Sequence, residues 1–134
     1  MASIRREMTI DAPAEVAWSA LRDVTAVDRL FPSVVTAARM EEGARIVTFA
    51  DGNVARERIV DVDDHARRLA YAATGGRLAH HHASIQLFED GAGRCRAVWI
   101  TDLLPDEMAP AIQALVDCGA ADLLRVLAGR TTWP

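Results

Sequence analysis

From residue 34 to residue 104 the chain runs as six short strand-like stretches, each closed by a turn signal. The stretches are 34–41, 45–50, 54–62, 69–74, 80–89 and 95–103. Between them stand Glu42-Gly43, Asp51-Gly52-Asn53, Asp63-Asp64-His65, Gly75-Gly76 and Asp90-Gly91-Ala92-Gly93. Connections this short cannot carry a crossover, so consecutive strands must pair antiparallel, as a meander. Asp51-Gly52 reads as a two-residue hairpin turn. This run constrains the fold more than any other feature.

The flanks complete the pattern. Residues 4–10, with Ile4, Met8 and Ile10, read as one further strand. Asp11-Ala12-Pro13 then opens an amphipathic helix over 13–24, where Pro suits the first helical position and Glu15 the first turn. A second short helical turn over 25–30 ends at Phe31-Pro32, because the residue before proline avoids the α region. Over 106–130, Met108, Ile112, Leu115, Val116, Gly119, Leu123, Val126 and Leu127 share one helix face, and Gly129 supplies the stop. At 1.5 Å per residue that helix is roughly 33 Å long, enough to cross a small sheet. The order strand, two short helices, six strands, long helix predicts an α+β architecture with a helix covering one face of a seven-stranded sheet. A sheet of that width curls, and a curled sheet closed by a helix encloses space.

With 134 residues and no repeat or linker, residues 1–134 are expected to form a single domain. Apolar residues make up 51%, but only 5% of the chain is aromatic, so small side chains fill much of the core and leave either thin walls or an unfilled space. The net charge of −4, and cations that are all Arg, argue against a nucleic-acid partner. No apolar run reaches the ~20 residues of a membrane span, and the polar opening Met1-Ala2-Ser3-Ile4-Arg5-Arg6-Glu7 lacks a signal peptide's apolar stretch, which predicts a cytoplasmic location. Cys95 and Cys118 are expected as free thiols.

Several segments also carry a resemblance. They are Ile10-Asp11-Ala12-Pro13-Ala14-Glu15-Val16-Ala17-Trp18, the stretch Arg56-Glu57-Arg58-Ile59-Val60-Asp61-Val62-Asp63-Asp64, and Arg68-Leu69-Ala70-Tyr71. With Val98-Trp99-Ile100-Thr101-Asp102-Leu103-Leu104-Pro105 and the last helix, they resemble the START/Bet v 1-like (SRPBCC) superfamily, more narrowly its polyketide cyclase/dehydratase-like branch. The resemblance covers essentially the whole chain. It implies a helix-grip fold, a curled seven-stranded antiparallel sheet wrapped around the C-terminal helix. It says far less about activity, since members include cyclases, dehydratases, receptors and lipid carriers.

Glu57 alternates with Ala55 and Ile59, which predicts an inward carboxylate and a candidate general acid/base; the opposite parity would put Arg56 and Arg58 inside. Tyr71, the single tyrosine, either orients a ligand oxygen or packs as a core ring with its hydroxyl at the rim. In His80-His81-His82, alternate residues share a face, and the resemblance implies that His82 and Ser84 point into the cavity. His80 and His82 could begin a metal site, but Gln86 and Leu87 stand where an acid would be needed and no further His follows, so no metal is expected. Asp102 is expected to hold a loop, and Cys118 has no His near it to make it a nucleophile.

The expected site is therefore catalytic Glu57, His82 and Tyr71, with Ser84, Ala73, Met108, Ile112, Leu115 and Gly119 lining the cavity. The expected function is binding of a small hydrophobic, polyketide-like or lipid-like molecule and its cyclisation, dehydration or isomerisation by cofactor-independent acid/base chemistry. A carrier that shelters such a ligand unchanged is the alternative, and the chain is expected as a monomer or homodimer. A quinone-binding reading rests on Phe31-Pro32 alone. The inward polar set separates these: convergence of Glu57, His82 and Tyr71 on one point favours an enzyme, and scatter favours a carrier.

Overall fold

A computed structural model describes residues 2–74 and 78–134. The Gly75-Gly76 turn lies outside the described residues. Seven strands follow one another as expected: β1 Ala2–Ile10, β2 Val35–Glu41, β3 Ala44–Phe49, β4 Val54–Asp63, β5 Arg68–Thr74, β6 His80–Glu89 and β7 Cys95–Leu104. Helices α1 (Ala14–Arg22) and α2 (Val27–Leu30) stand between β1 and β2, and α3 (Ala109–Leu127) closes the chain. The sheet order is β1-β7-β6-β5-β4-β3-β2, so β1 crosses to the far edge and pairs antiparallel with β7. Everything else is the meander that the short turns demand.

Alternation sets which residues face α3. On β7 the inward residues are Cys95, Ala97, Trp99, Thr101 and Leu103; on β6 they include Ala83, Ile85 and Leu87, all buried. Against them α3 sets Ile112, Val116, Ala120, Leu123 and Leu127. Burying each large aliphatic side chain contributes roughly 1.5–3 kcal/mol, so this contact holds the two layers together. Trp18 and Leu21 of α1 join the same core, and Trp18 Nε1 donates to Asp64 Oδ1 at 2.9 Å, tying α1 to the β4–β5 turn. Helix α3 is tied to the sheet by Arg6 and Asp117 (2.9 Å), and to the segment after α2 by Asp122. The buried Asp122 carboxylate accepts from the Ser33 amide (2.9 Å) and hydroxyl (2.6 Å), and from Arg125 (2.9 Å).

One expectation fails at the β3–β4 hairpin. Asp51-Gly52 alone does not make the turn: Phe49 pairs with Asn53, its amide donating to the Asn53 carbonyl at 2.8 Å, so the loop has three residues, 50–52. Gly52 takes φ +89°, the left-handed conformation that ends such a loop and that glycine adopts without strain. The extra residue shifts the pairing by one, so that Arg45 stands opposite Glu57.

Candidate functional site

The space between the sheet and α3 divides into two connected parts. An inner cavity of about 100 Å³ lies beneath α2 and the middle of α3, among Phe31, Arg45, Tyr71, Trp99 and Gly119. An outer cavity of about 540 Å³ opens beside Ala73, Leu78 and Met108, near the start of α3. Glu57, His81, Ile112 and Leu115 line both, and so mark the junction.

The polar floor of the inner cavity is built by three neighbouring strands. Arg45 on β3 and Glu57 on β4 are direct cross-strand partners, and Ile59, two residues on, faces Tyr71 on β5. Both residues of the pair are buried, Arg45 at 4% and Glu57 at 7% exposure. Arg45 Nε donates to Glu57 Oε1 at 2.9 Å, and Arg45 Nη2 lies 2.7 Å from the same oxygen. Arg45 Nη1 donates to the Val24 carbonyl at 2.9 Å, anchoring the turn that leads into α2. The guanidinium also stacks over the Tyr71 ring, 5.1 Å from its centroid. Burial pushes the Tyr71 phenol well above its ordinary range and the Glu57 charge adds to this, against an opposing effect of Arg45. The phenol therefore stays protonated and remains a hydrogen-bond donor.

Above this floor stand two aromatic rings. Phe31 and Trp99 meet at 5.6 Å between centroids, tilted by 46°. The buried Trp99 Nε1 has no hydrogen-bond partner among the described residues. Gly119 explains how α3 passes over them: a methyl group there would stand 2.9 Å from Trp99 Cη2 and 3.3 Å from Phe31 Cδ1. The helix is thinned to seat an aromatic pair, and the remaining space lies beside that pair. At the junction, burial lowers the affinity of His81 for a proton, and the flanking His80 and His82 lower it further, so His81 is a neutral imidazole.

The structure brings together most of the residues singled out from sequence. Glu57, Tyr71, Ala73, Met108, Ile112, Leu115 and Gly119 all line the cavity, with Leu115 partly exposed (43%) at the mouth. His82 and Ser84 do not. They share the parity of Gln86, opposite to the buried Ala83, Ile85 and Leu87, so they face away from α3; His81 occupies the inward position. Sequence reasoning missed Arg45, and it did not place Trp99 among the residues lining the cavity. The signal for Arg45 was its register with Glu57, which the misjudged hairpin concealed. Asp102 accepts from the Ser3 hydroxyl, across to β1. Cys118 is exposed and Cys95 buried, both free. Among the described residues no group of three His, Cys, Asp or Glu is placed to hold a metal ion.

A family model described as polyketide cyclase / dehydrase and lipid transport matches residues 1–128. The chain belongs to that family. Solved structures similar to this member include XoxI from Bacillus cereus, with a TM-score of 0.87 and 18% identity over 96% of this chain and 97% of that one. Truncated norcoclaurine synthase from Thalictrum flavum matches at 0.73 and 15% identity, over 97% and 95%. The Zhui aromatase/cyclase from Streptomyces sp. R1128 matches at 0.69 and 20% identity, over 96% and 92%. At such identities these likenesses establish the helix-grip fold. No curated protein matches the sequence. No helix among the described residues is long and apolar enough to cross a membrane.

Proposed function

We propose that this family member binds a small, largely apolar organic molecule in the sheet–helix cavity and moves a proton on it, as a cyclase/dehydratase-like acid/base enzyme. The observation that carries this reading is the placing of a buried carboxylate, Glu57, and a protonated phenol, Tyr71, on one cavity floor. Both close Arg45 contacts fall on Oε1 of Glu57, and no hydrogen bond reaches Oε2 among the described residues. Glu57 would take a proton from a carbon beside a ligand carbonyl. Tyr71 would donate a hydrogen bond to the oxygen on which negative charge then develops. His81, neutral at the junction, replaces His82 as the third group and would relay the proton toward the outer cavity. Trp99 and Phe31 would hold the ligand's flat apolar body. The exchange needs no cofactor, and its site is expected to work inside the cell.

A carrier remains the second reading, and one observation favours it: Arg45 and Glu57 already satisfy one another without a ligand. Hydrogen–deuterium exchange at the α-carbon of 2-tetralone, a two-ring ketone, separates the two. For the enzyme, the protein should accelerate exchange over buffer, and Glu57→Gln should abolish the acceleration while leaving affinity within about tenfold, ~1.4 kcal/mol. Saturable binding with no acceleration would leave the carrier.

A further inference from the structure

Resting on the reading of the cavity as a binding site, we infer that the Arg45–Glu57 ion pair is a specificity determinant that admits uncharged ligands and rejects ionised ones. The pair sits on the floor where the buried end of a ligand must arrive. Its charges cancel at 2.7 and 2.9 Å. Arg45 Nη1 donates to the Val24 carbonyl, and the guanidinium lies over the Tyr71 ring. A ligand carboxylate entering this space would be stripped of water and would meet no uncommitted cation. It would have to compete with Glu57 for Arg45, exchanging one carboxylate for another and leaving Glu57 buried without a partner.

A ligand cation meets the same difficulty with the sign reversed. The acidic groups along the cavities are Glu57, Asp23 and Asp51. Glu57 is paired with Arg45, and the Asp23 carboxylate lies 3.4 Å from Arg29 and accepts from the Thr25 hydroxyl. The Asp51 carboxylate accepts from the Asn53 amide and side chain at the exposed hairpin tip. What the cavity offers besides this pair is neutral: the Tyr71 hydroxyl, beside the Trp99 indole, and the neutral His81 imidazole. Both suit a ligand hydroxyl or ketone oxygen. The ligand class is thus a flat, uncharged molecule with a hydroxyl or carbonyl at its buried end.

The test is equilibrium dialysis or calorimetry at neutral pH with three probes of one shape: 2-naphthol, 2-naphthoate and 2-naphthylmethylammonium. The inference expects saturable one-to-one binding of 2-naphthol, with both ions at least 30-fold weaker. Naphthoate or the ammonium within threefold of the naphthol, or tighter, would overturn the charge filter while leaving the cavity as a binding site. Saturable binding of none of the three would overturn the binding reading and the filter with it. Glu57→Gln supplies a second, independent arm, because it leaves Arg45 without its counter-charge. In that variant the preference should shift toward naphthoate by at least tenfold relative to the naphthol. An unchanged ratio in a variant whose circular dichroism matches the parent would refute the role assigned to the pair.

Discussion

The Arg45–Glu57 pair makes a quantitative prediction about stability that does not depend on any ligand. The two side chains are 5% and 9% exposed, so solvent screens them little, and each is the other's charge partner. Replacing Glu57 by Leu leaves a buried guanidinium with only the Val24 carbonyl and the Tyr71 ring. Replacing Arg45 by Met strands a buried carboxylate and also removes the donor from Val24. Breaking a buried pair from one side costs about 3–5 kcal/mol, and the adjoining cavity, which can admit water to the stranded group, favours the lower end. Each single variant should therefore lose about 3 kcal/mol, with Arg45→Met the worse by the Val24 hydrogen bond, about 1 kcal/mol. Removing both partners at once buries two apolar side chains of similar length, and the double variant should lie within about 2 kcal/mol of the parent.

Urea denaturation measures this directly, provided the m-value is unchanged across the four proteins. In thermal melts a loss of 3 kcal/mol corresponds to roughly 10 °C for a chain of this size. The decisive quantity is the non-additivity: the double variant should be more stable than either single. If the two single effects simply add, so that the double variant is the least stable of the four, the side chains do not interact as a buried pair. The electrostatic account of the cavity floor would then fail.

Three further outcomes are expected. Tyr71 is the single tyrosine, so absorbance at 295 nm reports it alone; the unfolded chain should titrate near the ordinary value of 10.0, and the folded protein should not ionise there. Because the folded-state value is the raised one, this contribution to stability is complete below pH ~10 and is lost as pH rises above it, which alkaline urea melts would detect. Native protein should react with a thiol reagent at Cys118 only. Cys95, buried and with its thiol pushed up to about 11, should react only on unfolding, and two fast equivalents would contradict the packing around β7. Gly119→Ala gains about 1 kcal/mol of helix propensity but drives a methyl group into Trp99, at a cost of about 1–3 kcal/mol. Melts should show a net loss of up to about 2 kcal/mol and titrations a weaker 2-naphthol, as Trp99 is pushed toward the cavity; a more stable variant with unchanged binding would refute the contact.

The fold was legible because its signals are local. Turn residues at short intervals dictate the meander, and a helix-period stripe after residue 106 dictates the layer that covers it. Element ends move by a residue or two: the helix read from Asp106 begins as a 3₁₀ turn, Asp106–Met108, before α3. Within the site, Glu57 and Tyr71 were legible by alternation, since each has small or aliphatic neighbours two residues away on its own strand. The misplaced His82 and Ser84 show what happens when that rule is set aside. Ile85 and Leu87 are the strand's clearest core residues, and counting back by twos from them reaches Ala83 and His81.

Arg45 was hidden for a different reason, one that lies in how a hairpin fixes its register. A two-residue turn at Asp51-Gly52 makes the numbers of facing residues sum to 103, which sets Arg45 against Arg58 and leaves Glu57 opposite Ile46. That arrangement places two cations side by side and a carboxylate beside an aliphatic chain, so it offers no site at all. The three-residue loop lowers the sum to 102, and Arg45 meets Glu57. One residue in an exposed turn thus decides whether the cavity floor carries a neutralised pair. Inspection of either strand alone could not reveal it, because each strand's own alternation is the same in both registers. The repulsion in the wrong register is itself a signal. A buried Arg facing an Arg is a costly pairing, and charge complementarity across a hairpin can choose the loop length where turn propensity leaves it open.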